Sequence, residues 1–453
     1  MIEIFQIIIQ LFIFNILFLF PATPYFASKV FNNTNLNFFS IFSFNIIIQL
    51  FFYLIISFFN FNLNIIFNLF LLLSVTFLFI KFKYNLYFFK KNFNNLFLSF
   101  LVINLSLFSV VSSNPALGWD GVVHWINKAQ AYFQELGFIN TGIKEYPHLP
   151  GFLWGFFWKN SIIQKEYVGR LFLIFFYTTS IFYATNLFNN YIKKNIKIIF
   201  VFIIIFLSYD KILFGGYNDY YIFSLFIISS VFLHNIIINA DKKLNFLYSL
   251  LFYTSSFLLA WIKQEGFFWF ILLILVFILI QKSRKKKLLH LFYLSLLIII
   301  YFSIKSIFYE NTNFAYQFFD LKVLIYFLTS FEIFRIFIDI TYYILVAFLK
   351  YPIWLIIIFI YAIIGFEKNN LKIYKRFYLF LFFNIIFLYG LMFHSYLVKV
   401  SANELTNFYL VLRVSLDRIV LQSSGFFIPA IILILDNFFL KINNKFLFKD
   451  KLN

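Results

Sequence analysis

Asp120, His124 and Lys128 follow one another at intervals of four in the stretch WDGVVHWINKAQ, so a helix there would carry an acid, an imidazole and an ammonium on one side, with Asn127 beside them. Such a set can take up a proton and offset negative charge in one place. Asp at a helix start is also a good N-cap, which is the structural role competing with chemistry at Asp120. Three later stretches carry similar groups. Gly215-Gly216-Tyr217-Asn218-Asp219 sets a carboxylate at the start of an apolar run, and Trp261-Ile262-Lys263-Gln264-Glu265-Gly266 puts an ammonium and a carboxylate into a very short turn. The second of these is equally an ordinary surface ion pair, worth little. Arg413-Val414-Ser415-Leu416-Asp417-Arg418 holds two of only six arginines in a chain that otherwise chooses lysine. Guanidinium forks suit phosphate and carboxylate recognition. Finally, the two prolines of Tyr146-Pro147-His148-Leu149-Pro150 forbid a regular helix there. They make either a simple helix breaker or a shaped wall beside the Asp120 carboxylate.

The elements that must position these groups are not those of a soluble protein. Of 453 residues, 63% are hydrophobic and 12% charged, with a mean hydropathy of +0.88. A water-soluble surface needs about a quarter charged residues, so lipid solvates most of this chain. The skew towards Phe (77 residues), Ile, Asn, Lys and Tyr reads as the codon usage of an AT-rich genome. Residues that run against it carry the information. The stretch 114–170 holds 7 of 13 Gly, 3 of 7 Pro, 4 of 7 Trp and 2 of 5 His, a concentration that a plain solvated connector would not need. The absence of Cys excludes disulfides, thiolate zinc sites and cysteine nucleophiles. The net charge of +19 is accounted for by lysine-rich loops on one membrane side, so it does not point to nucleic acid.

Apolar runs near 2–20, 38–58, 62–81, 94–112, 171–188, 197–213, 220–238, 246–262, 267–281, 288–308, 352–366, 377–395 and 419–440 predict an all-α polytopic membrane protein with about thirteen spans. The runs are continuously apolar rather than alternating, which excludes a barrel. The first lacks a basic start and a small-residue cleavage site, so it reads as a span rather than a cleaved signal. With alternating helices, the clusters at Lys81–Lys91, Lys193–Lys197, Asp241–Lys243, Lys282–Lys287 and Glu367–Arg376 and the tail after Lys441 all fall on one side, the cytoplasmic one. Most carboxylates, Asp120, Asp219 and Glu265 among them, then lie outside. The expected organisation is N-terminal helices over 1–112, an outer loop with amphipathic helices over 113–170, and helices with short outer loops over 171–453. Glu332, Arg335, Asp339 and Lys350 share a helical face, so 322–350 is expected to lie in the membrane interface.

Taken together, WDGVVHWINKAQ, YPHLPGFLWG, GGYNDYYIFSLF, WIKQEGFF and VSLDRIVLQ, in that order across 113–425, resemble the bacterial integral-membrane glycosyltransferases of the GT-C fold. Within that fold they resemble the group related to protein mannosyltransferases and aminoarabinose transferases. The resemblance implies transfer of a sugar from a polyprenyl-phosphate donor to a glycan or lipid acceptor at the outer face of the bacterial inner membrane. It implies that Asp120 acts at the acceptor, with Asp219 as the second carboxylate. Lys128, Lys263, Arg413 and Arg418 are the candidates to hold the donor phosphate, and His124, Tyr146, His148 and Glu265 to contact substrate. Many relatives read Tyr-Pro-Pro-Leu where this chain has Tyr146-Pro147-His148-Leu149-Pro150, which leaves the role of His148 open. Some relatives of the oligosaccharyltransferase type bind a divalent metal; this chain has no Asp-x-Asp or similar cluster, so a metal stays open but without support in the sequence. Two other readings stand beside this one: a flippase for lipid-linked oligosaccharide, which would be expected to show internal repeats and mid-membrane charges, and a surface-polysaccharide ligase or polymerase, which usually carries its large outer loop late in the chain.

Overall fold

The computed structural model describes residues 2–31, 36–138, 141, 147–189, 192–210, 214–238, 241–309, 321–365, 371–401 and 405–449. Among them it is helical, with no strand. It divides into two units, Met1–Phe270 with Ile428–Asn453, and Ile271–Phe427.

The first unit is built from α1 (Ile2–Leu17), α2 (Pro24–Val30), α3 (Phe38–Ile56), α4 (Leu63–Phe79), α5 (Phe82–Asn92), α6 (Asn95–Ser113), α7 (Ile126–Phe133), α8 (Leu149–Lys159), α9 (Glu166–Ala184), α10 (Lys194–Ser208), α11 (Asp219–Ile238), α12 (Lys242–Leu259), the start of α13 (Gln264–Ile280) and, after the second unit, α20 (Ile428–Lys449). The surplus of asparagine supplies caps. Asn37, Asn62 and Asn94 each accept a hydrogen bond from the first-turn backbone of α3, α4 and α6, which satisfies amides that would otherwise lack partners. The centre is α9, buried along its whole apolar window and packed by α1, α3, α6, α8 and α11. Its Phe172 and Phe175 stack on Phe18 at 5.3 and 5.6 Å, offset aromatic contacts worth about 0.5–1.5 kcal/mol each beyond area burial. Away from that centre the surface turns apolar: Ile65, Leu69 and Leu72 of α4 stand exposed.

The second unit comprises the rest of α13, α14 (Arg284–Phe308), α15 (Leu321–Thr329), α16 (Glu332–Lys350), α17 (Ile353–Gly365), α18 (Leu371–Ser401) and α19 (Leu405–Ser424). Only 11% of the apolar window of α14 is buried, and Phe292, Ile299 and Ile307 face outward. The stripe on α16 is a paired face: Glu332 accepts from Tyr396 Oη of α18, Asp339 accepts from Tyr409 Oη of α19 at 3.1 Å, and Lys350 donates to Asp417 of α19. The exposed side of α16 is instead apolar, with Phe334, Ile338, Tyr342 and Leu349. At Tyr351–Pro352 the chain bends by 104° into α17, where proline cannot continue the helical ladder.

Among the described residues, seven helices are long and apolar enough to cross a membrane, or nine if each of two bent pairs counts as one span. That agrees with a multi-pass membrane protein. The apolar runs read from the sequence fall on helices, but some are short: Glu3–Leu17 and Gln264–Ile280 are apolar yet shorter than the roughly 20 residues that cross a bilayer upright. The run at 62–81 ends in a 95° bend into α5.

The break after α1 shows how polar side chains hold an apolar bundle. The carbonyls of Leu17, Phe18, Phe20 and Ala22 leave the helical ladder and are met by α3: Asn45 Nδ2 donates to Phe18 and Ala22 (2.9 and 3.1 Å), and Gln49 Nε2 to Leu17 and Phe20 (2.8 and 2.7 Å). Asn45→Ala strands two of these carbonyls and the Ala22 amide, which donates to Asn45 Oδ1. We expect it to cost about 1–3 kcal/mol, seen as a lower melting midpoint in detergent; a midpoint equal to wild type would refute this account of the break.

Candidate functional site

The site is organised by a seam where two loops touch backbone to backbone. Pro115 and Gly118 end α6, the chain re-enters helix at Trp119, and a π turn over Gly121–Trp125 leads into α7. Gly118 N donates to Gly215 O at 2.7 Å and Trp119 N donates to Tyr217 Oη at 3.1 Å. A Cβ on Gly121 would stand 2.5 Å from the Gly215 carbonyl oxygen, and Gly216, at φ +97°, lies 2.9 Å from Gly121 Cα by the same measure. Only glycine accepts both the positive φ and the approach. Asp120 adjoins this seam on one strand of it and Asp219 follows three residues on along the other, so residues 99 positions apart in sequence belong to one locality.

Arg170 ties the seam from behind. Its Nη1 donates to Phe214 O at 3.0 Å, its Nη2 to Pro115 O at 2.7 Å and to Glu166 Oε2 at 3.0 Å, and its Nε lies 2.9 Å from Glu166 Oε1. The guanidinium also lies over the Trp154 ring.

From the helix that carries Asp120, contacts and short stretches of chain lead round a circuit back to the glycine seam. The π turn adds a residue to the helical repeat, and Lys128 turns inward while Asn127 and Gln130 stay exposed. Lys128 is 1% exposed, donates to Pro147 O at 3.4 Å and faces the Trp125 ring. Next to Pro147, the fully buried His148 bonds Ser57 Oγ at 2.5 Å and sits among the rings of Phe58, Phe138 and Trp261. Trp261 opens the turn that carries Lys263, and Lys263 Nζ is 2.9 Å from Asp219 Oδ1 and 3.7 Å from Glu265 Oε1. Asp219 is fully buried, and α11 returns it to the glycine seam. Burial, and then the Lys128 ammonium, holds His148 well below the usual imidazole pKa, so it is neutral at physiological pH.

Four of the five stretches picked out by their residue types therefore meet: 118–128, 147–151, 215–219 and 261–265. The single side expected to hold Asp120, His124, Asn127 and Lys128 together differs from what is found, since Lys128 is buried and Asn127 exposed. Asp120 is 8% exposed, its side chain makes no N-cap bond, and His124 is half-buried against Trp119. Tyr146 lies outside the described residues. Arg413 and Arg418 belong to the second unit, on α19, with Arg413 exposed and Arg418 Nε donating to Val414 O at 3.1 Å. Sequence reasoning missed Ser57 and Arg170. Ser57 carries no local signal, but Arg170 had one: a scarce arginine four residues after a glutamate at a helix start.

Among the described residues, no three His, Asp or Glu side chains come together as a metal ion would require. No protein-family model, no curated protein and no solved structure matches this chain.

Two outcomes follow from this geometry. Gly121→Ala forces its methyl into a backbone carbonyl that cannot swing aside, so overpacking should cost about 1–3 kcal/mol, read by thermal denaturation in detergent; an unchanged midpoint would show the seam to be slack. His148 is the second case. Its folded pKa lies below the unfolded value of 6.5, so as the pH falls through 6.5 the unfolded chain binds a proton that the folded chain refuses, and stability drops. The midpoint of wild type should therefore fall more steeply from pH 7.5 to 5.5 than that of His148→Gln, and parallel slopes would exclude His148 as the cause.

Proposed function

We propose that this chain is a glycosyltransferase of the GT-C type, which moves a sugar from a polyprenyl-phosphate donor to a glycan or lipid acceptor. In this reading it crosses the bacterial inner membrane about thirteen times, with the circuit around Asp120 facing the periplasm. The observation that supports it is that circuit: a carboxylate at the glycine seam, a buried ammonium eight residues on, a neutral imidazole and a buried Asp219–Lys263 pair gathered from four separate stretches at the ends of apolar helices. Ionisable groups at the edge of an apolar bundle are costly, and their gathering favours a task beyond packing.

The reaction needs only a base and cations to balance it. The acceptor hydroxyl oxygen forms a bond to the anomeric carbon, and the bond from that carbon to the phosphate oxygen breaks, its electron pair leaving with the phosphate. Asp120 takes the hydroxyl proton as general base. Lys128 and Lys263 are the cations offered within the first unit to the charge that develops on the departing lipid phosphate, and Arg413 and Arg418 remain candidates by residue type alone. Lys263 has a second task, since its salt bridge fixes the Asp219 carboxylate. His124, Tyr146, His148 and Glu265 are the proposed substrate contacts, with the neutral His148 acting through hydrogen bonding rather than charge.

The test is transfer of labelled sugar from a polyprenyl-phosphate donor by purified protein in lipid nanodiscs. Asp120→Asn should reduce turnover on the order of 100-fold or more, the usual contribution of a general base, while its melting midpoint stays near that of wild type. Turnover equal to wild type would remove Asp120 from the mechanism, and no transfer by wild type from any polyprenyl-phosphate sugar tried would overturn the reading.

A further inference from the structure

A cavity of about 250 Å³ lies behind the glycine seam, between the C-terminal end of α6 and the 214–215 loop. Val110, Val111, Leu117 and Phe214 form its apolar walls, and Asn114 and Arg170 line it as well. Arg170 is not an anion hook there. Its nitrogens already meet Phe214 O, Pro115 O and both oxygens of Glu166, and that carboxylate balances its charge. A sugar or other polar ligand would find little to bond to, and the volume is below the 300–1,000 Å³ or so of sites for whole small molecules.

The surroundings indicate what does fit. More than half of the apolar window of α6 is left unburied by the protein, with Leu98 and Val102 exposed in its first half and Ser106 and Ser109 nearer the cavity, so the first half of this helix offers an apolar face to lipid. At its end, beside the cavity, Trp119 is 66% exposed, the placing of an aromatic residue at a membrane–water boundary. The cavity thus joins apolar walls to a place at the end of an apolar helix and next along the chain to an exposed Trp. We propose that it holds one acyl-chain segment of a membrane glycerophospholipid, wedged behind the loop that carries Asp120, without selecting the charge of the headgroup. The inference stands apart from the transfer reaction and holds for any function of the chain.

The experiment is photolabelling of the purified full chain in detergent with a phosphatidylethanolamine bearing a diazirine in mid-chain, with mapping by mass spectrometry. Label is expected on Val110, Val111, Leu117 and Phe214, saturable by excess unlabelled phosphatidylethanolamine or phosphatidylglycerol alike. It should fall at least tenfold in Leu117→Trp and in Ala116→Trp, which fill the cavity, while label on the exposed face of α4 is unchanged. Cavity label that no excess phospholipid displaces, or that is no denser than on α4, would overturn the proposal whether or not the variants fold. Displacement by polyprenyl phosphate but not by phospholipid would overturn it too, by assigning the site to a carrier lipid.

Discussion

The close approach of Gly121 to Gly215 and Gly216 is the constraint on which the rest of the first unit depends. Two loops that end different helices touch there without side chains between them, and this contact brings together the segments that carry Asp120 and Asp219. Everything around it holds the two backbones at that separation. Arg170 clasps Pro115 O and Phe214 O from behind, the Tyr217 hydroxyl accepts from Trp119 N, and the edge of the Trp154 ring fills the space that a Cβ on Gly216 would need. A bundle made only of phenylalanine and isoleucine faces could not bring two backbones so near.

The Asp219–Lys263 pair is the other half of the arrangement. Neither group is more than 6% exposed at the side chain. A buried ion pair gives little net stability over an apolar substitute, yet losing one partner costs about 3–5 kcal/mol because the other charge is left stranded. The pair therefore acts as a register pin. The short turn that joins α12 to α13 must sit where its ammonium meets the first residue of α11, and Glu265 at 3.7 Å keeps a second carboxylate in the same group. Trp261 in that turn lies against His148, so the pin carries through to the loop whose Pro147 carbonyl accepts from Lys128.

Much of this was legible in the sequence, for reasons that differ by element. Continuous apolar runs predicted helices because an apolar surrounding leaves backbone groups no partner outside their own helix. The lengths were less legible, since hydropathy does not mark where a helix breaks or bends: the ladder fails at Leu17–Ala22 because Asn45 and Gln49, on another helix, meet the freed carbonyls. The site stretches stood out through Gly, Pro, Trp, His and Arg, residues that the codon background disfavours. Their side-chain directions did not, because a regular helical repeat was assumed through Gly121–Trp125 and the π turn there changes the phase, sending Lys128 into the interior. On α16 the spacing of Glu332, Asp339 and Lys350 was visible, whereas the tyrosines and the carboxylate that pair with them sit on α18 and α19, 64 to 70 residues away.

The composition bias and the site are connected by the same physics. A helix face turned to lipid has no packing partner of fixed shape, so Phe, Ile or Leu serve there alike, and asparagine in the loops is absorbed as N-caps. A backbone at φ +97°, a carbonyl 2.5 Å from where a Cβ would be, and a guanidinium bridging two carbonyls and a carboxylate each admit a single residue type. Bias cannot overwrite such positions without breaking the seam. The rare residues therefore mark where structure leaves no choice, and in this fold those places are the walls of the circuit that joins Asp120 to Asp219.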